Sequence, residues 1–170
     1  MKPSNIFLTG PPSSGKTTVI MKIIDRLKKP AKGFYTQEIR VDGKRQGFNM
    51  ITLDGREGLL AHRSIKSDYT VSKYGVSIKN IENIAVPSIM PDNENQIIIL
   101  DEIGKMECFS VKFKEAAKRA LDSTNIIIGT IAIGKTIFIG KVKERNDLKI
   151  LEVTESNRNA LPGEILKLVQ

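Results

Sequence analysis

Two short stretches hold the residues best suited to chemistry. "GPPSSGKT", Gly10 to Thr17, satisfies G-x-x-x-x-G-K-[ST], and "IIILDEIGKME", residues 97 to 107, runs four apolar residues into the adjacent carboxylates Asp101 and Glu102. In the first, glycines let backbone N–H groups curl around a phosphate, and the N-terminus of a following helix adds partial positive charge. Lys16 can reach β- and γ-phosphate oxygens as a point charge, and Thr17 can place its hydroxyl on Mg²⁺. In the second, two like charges side by side are unfavourable unless something positive faces them. Lys16 and a metal ion on the phosphate loop supply that charge. Asp101 is then the residue that faces the metal, and Glu102 the one that polarises a water for in-line attack on a γ-phosphate. A carboxylate general base contributes about 10²–10⁴ in rate, roughly 3–5.5 kcal/mol.

The surrounding pattern supplies elements that can position these groups. "NIFLT" (5–9) reads as a buried strand that breaks at Gly10-Pro11-Pro12, and Val19, Ile20, Ile23, Ile24 and Leu27 mark one apolar face of a helix over 16–28. Between 33 and 64 two β-like runs flank one "DG" and a second "DG" opens another turn, which predicts an antiparallel hairpin and a third strand. Residues 65–79 carry no clear period, although "YGVSI" fits a strand. A short helix is expected over 80–90, ended by Pro91, and a strand over 97–100. Ser110 caps a helix running to Leu121, 125–133 and 148–154 read as strands with a short helix between, and "NALPGEILKLV" as a closing helix. Continuous apolar strands alternating with helices predict an α/β fold, a mostly parallel sheet flanked by helices. The hairpin at about 33–64 is the exception, an insertion at the sheet edge or over the site. No linker or repeat divides the chain, so 1–170 is expected to be one domain.

Composition narrows the setting. The 170 residues carry 27 Lys and Arg against 19 Asp and Glu, a formal charge of +8 that suits an anionic partner. The cations are scattered rather than clustered, as on an ordinary solvated surface. Cys108 is the one cysteine, which excludes an internal disulfide and fits a reducing compartment. No apolar run approaches the ~20 residues of a membrane span, so a cytoplasmic protein without a membrane partner is expected.

A glutamate beside the aspartate favours hydrolysis, because water is the acceptor that needs orienting. Small kinases of similar design commonly set an arginine there instead. Two other readings stay open: a small-molecule or nucleotide kinase, and a nucleotide-dependent RNA-binding switch that uses the positive charge.

With these residues in view, the chain resembles the small thermostable nucleoside-triphosphatases of the THEP type. The likeness rests on "FLTGPP", "GFYTQEIR" (33–40), "LDEIGKME" (100–107) and "VTESNR" (153–158), in that family's order and over nearly the whole length. It implies a P-loop NTPase fold of the added-strand, RecA-like type. It also implies Mg²⁺-dependent hydrolysis of ATP, GTP and other NTPs to NDP and phosphate. The chain is expected to act as a monomer. The implied nucleotide-binding set is Gly10, Pro11, Pro12, Ser13, Ser14, Gly15, Lys16, Thr17 and Thr18 with Asp101, Glu102, Ile103 and Gly104. Lys16 and Glu102 are its catalytic members, and Thr17 and Asp101 hold the metal. Two departures stand out. Ser13-Ser14 replaces the family's usual Gly-Val, and "TIA" (Thr130–Ala132) replaces "TIP".

Other residues have weaker claims. Lys105 could meet the γ-phosphate or pin Glu102, Arg40 and Arg45 lie on the hairpin, and Asn157 and Arg158 fall where phosphate-loop proteins contact the base. A transition-state arginine is worth about 10³–10⁵ where one acts. His62 reads as a strand surface residue, Phe34 and Tyr35 as core, and Cys108 as a buried thiol.

Overall fold

The computed structural model describes residues 5–134 and 136–170. In chain order the strands are β1 (Asn5–Thr9), β2 (Ala31–Val41), β3 (Lys44–Thr52), β4 (Glu57–His62), β5 (Thr70–Val71), β6 (Tyr74–Val76), β7 (Ile97–Ile103), β8 (Ile126–Ile131) and β9 (Leu148–Glu152). The α-helices are α1 (Lys16–Arg26), α2 (Ile78–Asn80), α3 (Val86–Ser88), α4 (Val111–Asp122), α5 (Ile137–Lys143) and α6 (Leu161–Val169). The strands form one sheet in the order β5-β6-β4-β3-β2-β7-β8-β1-β9.

Half of that sheet is parallel: β8 lies between β1 and β7, β9 closes one side and β2 joins β7 on the other. A strand between the phosphate-loop strand and the aspartate strand is the added-strand arrangement the sequence implied. The continuous apolar runs are explained by burial on both faces. Ile6 and Leu8 pack with Val19, Ile20 and Ile23 of α1 and Ile165 of α6, whereas Phe7 packs on the opposite side with Phe113 and Ala117 of α4. Alternation along β1 therefore feeds two cores from one strand.

The antiparallel half carries the expected hairpin. Asp42 and Gly43 both take positive φ (51° and 73°), and Val41 pairs with Lys44 across them, the two-residue geometry that the "DG" pattern predicts. The first strand of that hairpin is also a member of the parallel sheet: Ala31–Phe34 pairs with Ile97–Leu100 before the strand continues into the meander. The hairpin is thus rooted in the core rather than laid on it. "YGV" within the unassigned 65–79 stretch becomes β6, which pairs with β4.

Two elements differ notably in extent from the expectation. The helix expected over 80–90 runs from 78 to 88 as α2, a π turn at Ile81–Ala85 and α3, with Pro87 inside it. Pro87 falls in the first turn of α3, where a missing N–H costs little. The strand expected over 97–100 runs on to Ile103, which takes Asp101 and Glu102 into the sheet. Ser110 caps α4 as expected, its hydroxyl accepting from the Phe113 N–H at 3.1 Å.

Phe34 is fully buried and meets Phe113 edge-on at 6.2 Å between ring centroids, tying β2 to α4. Phe34→Ala should cost about 3–5 kcal/mol, read as a lower urea midpoint with an unchanged m-value. A loss below about 1 kcal/mol would mean that the β2–α4 packing is not what holds the meander to the core.

Candidate active site

The phosphate loop begins where β1 ends. Ser13 takes φ 64° and Gly15 φ 101°, two left-handed residues that turn the chain into α1. Serine at 13 reaches the conformation that glycine takes freely, so the curl survives the departure from the family pattern at a local cost of roughly 1–2 kcal/mol. Lys16 donates from Nζ to the carbonyls of Gly10 (2.6 Å) and Pro11 (3.2 Å), which holds its ammonium over the loop.

Asp101 is the centre of the arrangement. It is buried, and its Oδ1 accepts from the Thr130 hydroxyl at 2.6 Å while its Oδ2 accepts from the Thr17 hydroxyl at 2.9 Å and, more distantly, from the Thr36 N–H at 3.4 Å. These partners come from β8, α1 and β2, the neighbours of β7 in the sheet and the helix above it. Burial pushes the Asp101 carboxyl above its ordinary value, against the pull of Thr130, Thr17, Thr36 and the Lys16 charge. The β7–β8 pairing is interrupted between Leu100 and Ile103, which frees Asp101 and Glu102 from the regular ladder; the peptide between them is cis. Pairing resumes as the Ala132 N–H donates to the Ile103 carbonyl at 3.1 Å, a bond that a proline at 132 could not make.

Glu102 is half-buried beside Asp101. Burial raises its carboxyl first, the Asp101 charge adds to that, and Lys16 offsets part. A Cβ on Gly104 would fall 2.6 Å from Glu102 Oε1 and 3.1 Å from Glu107 Oε2, so the glycine makes room for both carboxyls. Glu107 is buried and held well above the ordinary glutamate value by its burial, then by the charges of Glu102 and Asp101. Next to it, burial and the Glu107 charge push the Cys108 thiol up to about 12, so this sulfur stays a thiol at neutral pH.

These groups open into a cavity of about 840 Å³ between the phosphate loop and the meander. Pro12 to Thr18, Asp101, Glu102 and Lys105 line it, and Thr36, Glu38, Arg45, Phe48 and Tyr74 form its far wall. Arg45 pairs with Glu38 at 3.1 Å, donates to the Tyr74 hydroxyl at 3.1 Å and lies 5.1 Å from the Phe48 ring centre. Arg40 instead pairs with Glu38 and the Gly43 carbonyl on the hairpin and does not line the cavity.

Several sequence-selected residues fall elsewhere. Ile103 is fully buried in the core rather than in the cavity. Asn157 braces its own loop, accepting from the Thr154 N–H at 2.8 Å and donating to the Glu152 carbonyl at 2.7 Å, which commits its amide. Arg158 lies against the phosphate loop, its Cδ 3.4 Å from where a Gly15 Cβ would be. His62 bonds Ser64 on the surface, and Phe34 is core as expected. Sequence reasoning did not select Thr36, Thr130 or Glu107 as site residues. Their only signal lay in the "GFYT", "TIA" and "GKME" blocks, because the contacts that recruit them cross between strands.

All three carboxyls sit above their ordinary values of 3.8 for Asp and 4.5 for Glu. The folded state therefore keeps protons that the unfolded chain releases, and stability falls as pH rises from the ordinary values through the raised ones. Glu107→Gln cannot ionise. Its urea-unfolding stability in EDTA should decline less steeply above pH 4.5 than that of the wild type. Equal slopes would contradict the burial of this carboxyl.

Known proteins agree with this geometry. The model of a family described as NTPase matches residues 5–166. A protein of Thermotoga sp. (strain RQ2) named nucleoside-triphosphatase THEP1 is 48% identical over 166 residues, 97% of this chain and 95% of its own length. The crystal structure of THEP1 from the hyperthermophile Aquifex aeolicus superposes with a TM-score of 0.89 at 33% identity, over 98% of this chain and 99% of that one. The solution structure of a human cancer-related nucleoside triphosphatase gives 0.84 at 37% identity, over 98% and 97%. A match that begins at β1 and runs into the last helix takes in every residue of this site, and the chain belongs to the NTPase family.

Proposed function

We propose that this chain hydrolyses nucleoside triphosphates, ATP and GTP among them, to the diphosphate and phosphate, with Mg²⁺ and in the cytoplasm. The observation that carries the reading is the joining of the two sequence stretches: the Thr17 hydroxyl of the phosphate loop bonds Asp101, and Glu102 lies beside them in the same cavity. The names of its relatives support the same reaction. No described helix is long and apolar enough to cross a membrane.

Thr17 and Asp101, in contact through their oxygens at 2.9 Å, offer the hard donors that suit Mg²⁺. They would hold it, and the ion would neutralise charge on the β- and γ-phosphate oxygens. The chain's own groups do the rest. Loop N–H groups and the α1 N-terminus bind the phosphates, and Lys16 exchanges its loop carbonyls for phosphate oxygens. Glu102 takes a proton as water oxygen bonds to the γ-phosphorus and the bond from that phosphorus to the β–γ bridging oxygen breaks. Its raised carboxyl is a stronger base than an ordinary glutamate, which suits it to that step. Arg158, whose Cδ lies 3.4 Å from where a Gly15 Cβ would be, is the side chain we assign to the nucleoside end.

Glu102→Gln should lower kcat by about 10²–10⁴ while leaving NTP affinity within a few-fold. Near-normal phosphate release would remove Glu102 from the reaction. Lys16→Ala should lose both affinity and turnover, and unchanged affinity would refute its phosphate contact. A panel of NTPs, assayed with Mg²⁺ and with EDTA, should release phosphate only with the metal.

A further inference from the structure

Glu107 is an expensive residue to keep. It begins a short 3₁₀ turn (Glu107–Phe109), is 3% exposed, and its Oε2 has no hydrogen-bond partner. No cation pairs with it among the described residues. A buried polar oxygen left unpaired costs on the order of 1–3 kcal/mol, and natural proteins keep few of them. An apolar side chain of similar volume would fill the same space without that cost. Such an oxygen calls for an explanation, and a group that enters the cavity supplies one.

The geometry says where. Glu107 lines the same cavity as Glu102 and Lys16. Both carboxyls converge over Gly104: the point a Cβ would occupy there lies 2.6 Å from Glu102 Oε1 and 3.1 Å from Glu107 Oε2. The two oxygens can be no further apart than those distances together, a span that one water molecule can bridge. Neither is anchored by a hydrogen bond to another side chain, in contrast to Asp101, whose oxygens are all engaged.

We propose that Glu107 is a second catalytic residue of the hydrolysis, accepting one hydrogen of the attacking water while Glu102 accepts the other. This rests on the triphosphatase reading above. A water held by one acceptor can still swivel about that bond. With acceptors on both hydrogens its lone pair is aimed, within the cavity that the phosphate loop also lines. The proton lost on attack goes to Glu102. Glu107 orients only, through its unpartnered Oε2. Gly104 fits the same demand, since a Cβ there would require the Glu102 carboxyl to move.

The test is a pair of substitutions assayed for NTP hydrolysis with Mg²⁺. Glu107→Leu fills the space without an acceptor and should lower kcat by about 10²-fold, the scale of a misplaced reactant, with KM within two- to three-fold. Its melting temperature should equal or exceed that of the wild type. Glu107→Gln keeps the carbonyl acceptor and should hold kcat within about five-fold of wild type. Should the leucine variant not fold, Glu107→Met, unbranched and adaptable, is read the same way. A Leu or Met variant with wild-type kcat overturns the proposal, because a residue kept only for packing would give that result. A Gln variant as slow as Leu overturns it too, since the acceptor alone would then not suffice. In either case a slow Glu102→Gln leaves the triphosphatase reading intact, whereas a wild type that releases no phosphate from any NTP removes both.

Discussion

Everything in this molecule is arranged around one buried carboxylate and the hydroxyls that hold it. Asp101 reaches across to Thr17 at the start of α1 and to Thr130 on β8, so a single side chain ties the phosphate loop to two adjacent strands of the sheet. Burial alone would drive this acid to its neutral form. Three donors aimed at it resist that, and each belongs to a different element. The sheet order is what makes this work. With β8 on one side of β7 and β2 on the other, a threonine hydroxyl arrives from β8 and a backbone N–H from β2. The same order sets the phosphate loop one strand away, within reach of Thr17.

β2 does two jobs. Its first residues pair in parallel with β7 beneath the site, and the rest turns away into the meander that walls the cavity. One strand thus links the core to the wall that carries Arg45, Phe48 and Tyr74. Phe34 sits where these roles meet and packs on α4. The wall is therefore positioned by the core, not by its own short strands β5 and β6, which pair over only a few residues.

Much of this was legible in the sequence because it is local. The phosphate loop, the 3.6-residue period of α1, the Ser110 cap and the "DG" hairpin each depend on residues within a few positions of one another. Asp101 and Glu102 were legible through their place after an apolar run. The length of β7 was not, since two carboxylates read as the end of a strand unless one knows that neighbouring threonines meet them. Thr36 and Thr130 are 65 and 29 residues from Asp101, and nothing in a window around either marks it. Glu107 carries no local signal of burial either; the fold of the turn buries it. Ile103 and Asn157 erred in the other direction. Adjacency to a motif suggested contact, but the side chain of one faces the core and the amide of the other is spent on its own loop.

The balance of charge explains why so costly a site is kept. Asp101, Glu102 and Glu107 crowd a cavity in which Lys16 is the one cation whose charge appears among the causes that pull Asp101 and Glu102 back down. A triphosphate adds further negative charge to the same space. In the proposed reaction Mg²⁺ held by Thr17 and Asp101 would offset that excess with its two positive charges. Binding would then offset the cost of raised carboxyls and an unpartnered oxygen. Stability and turnover pull in opposite directions here, the usual relation where an active site is built from groups that the core would rather exclude. The fold can carry that cost because the two apolar cores on either face of the sheet, rather than the site, hold it together.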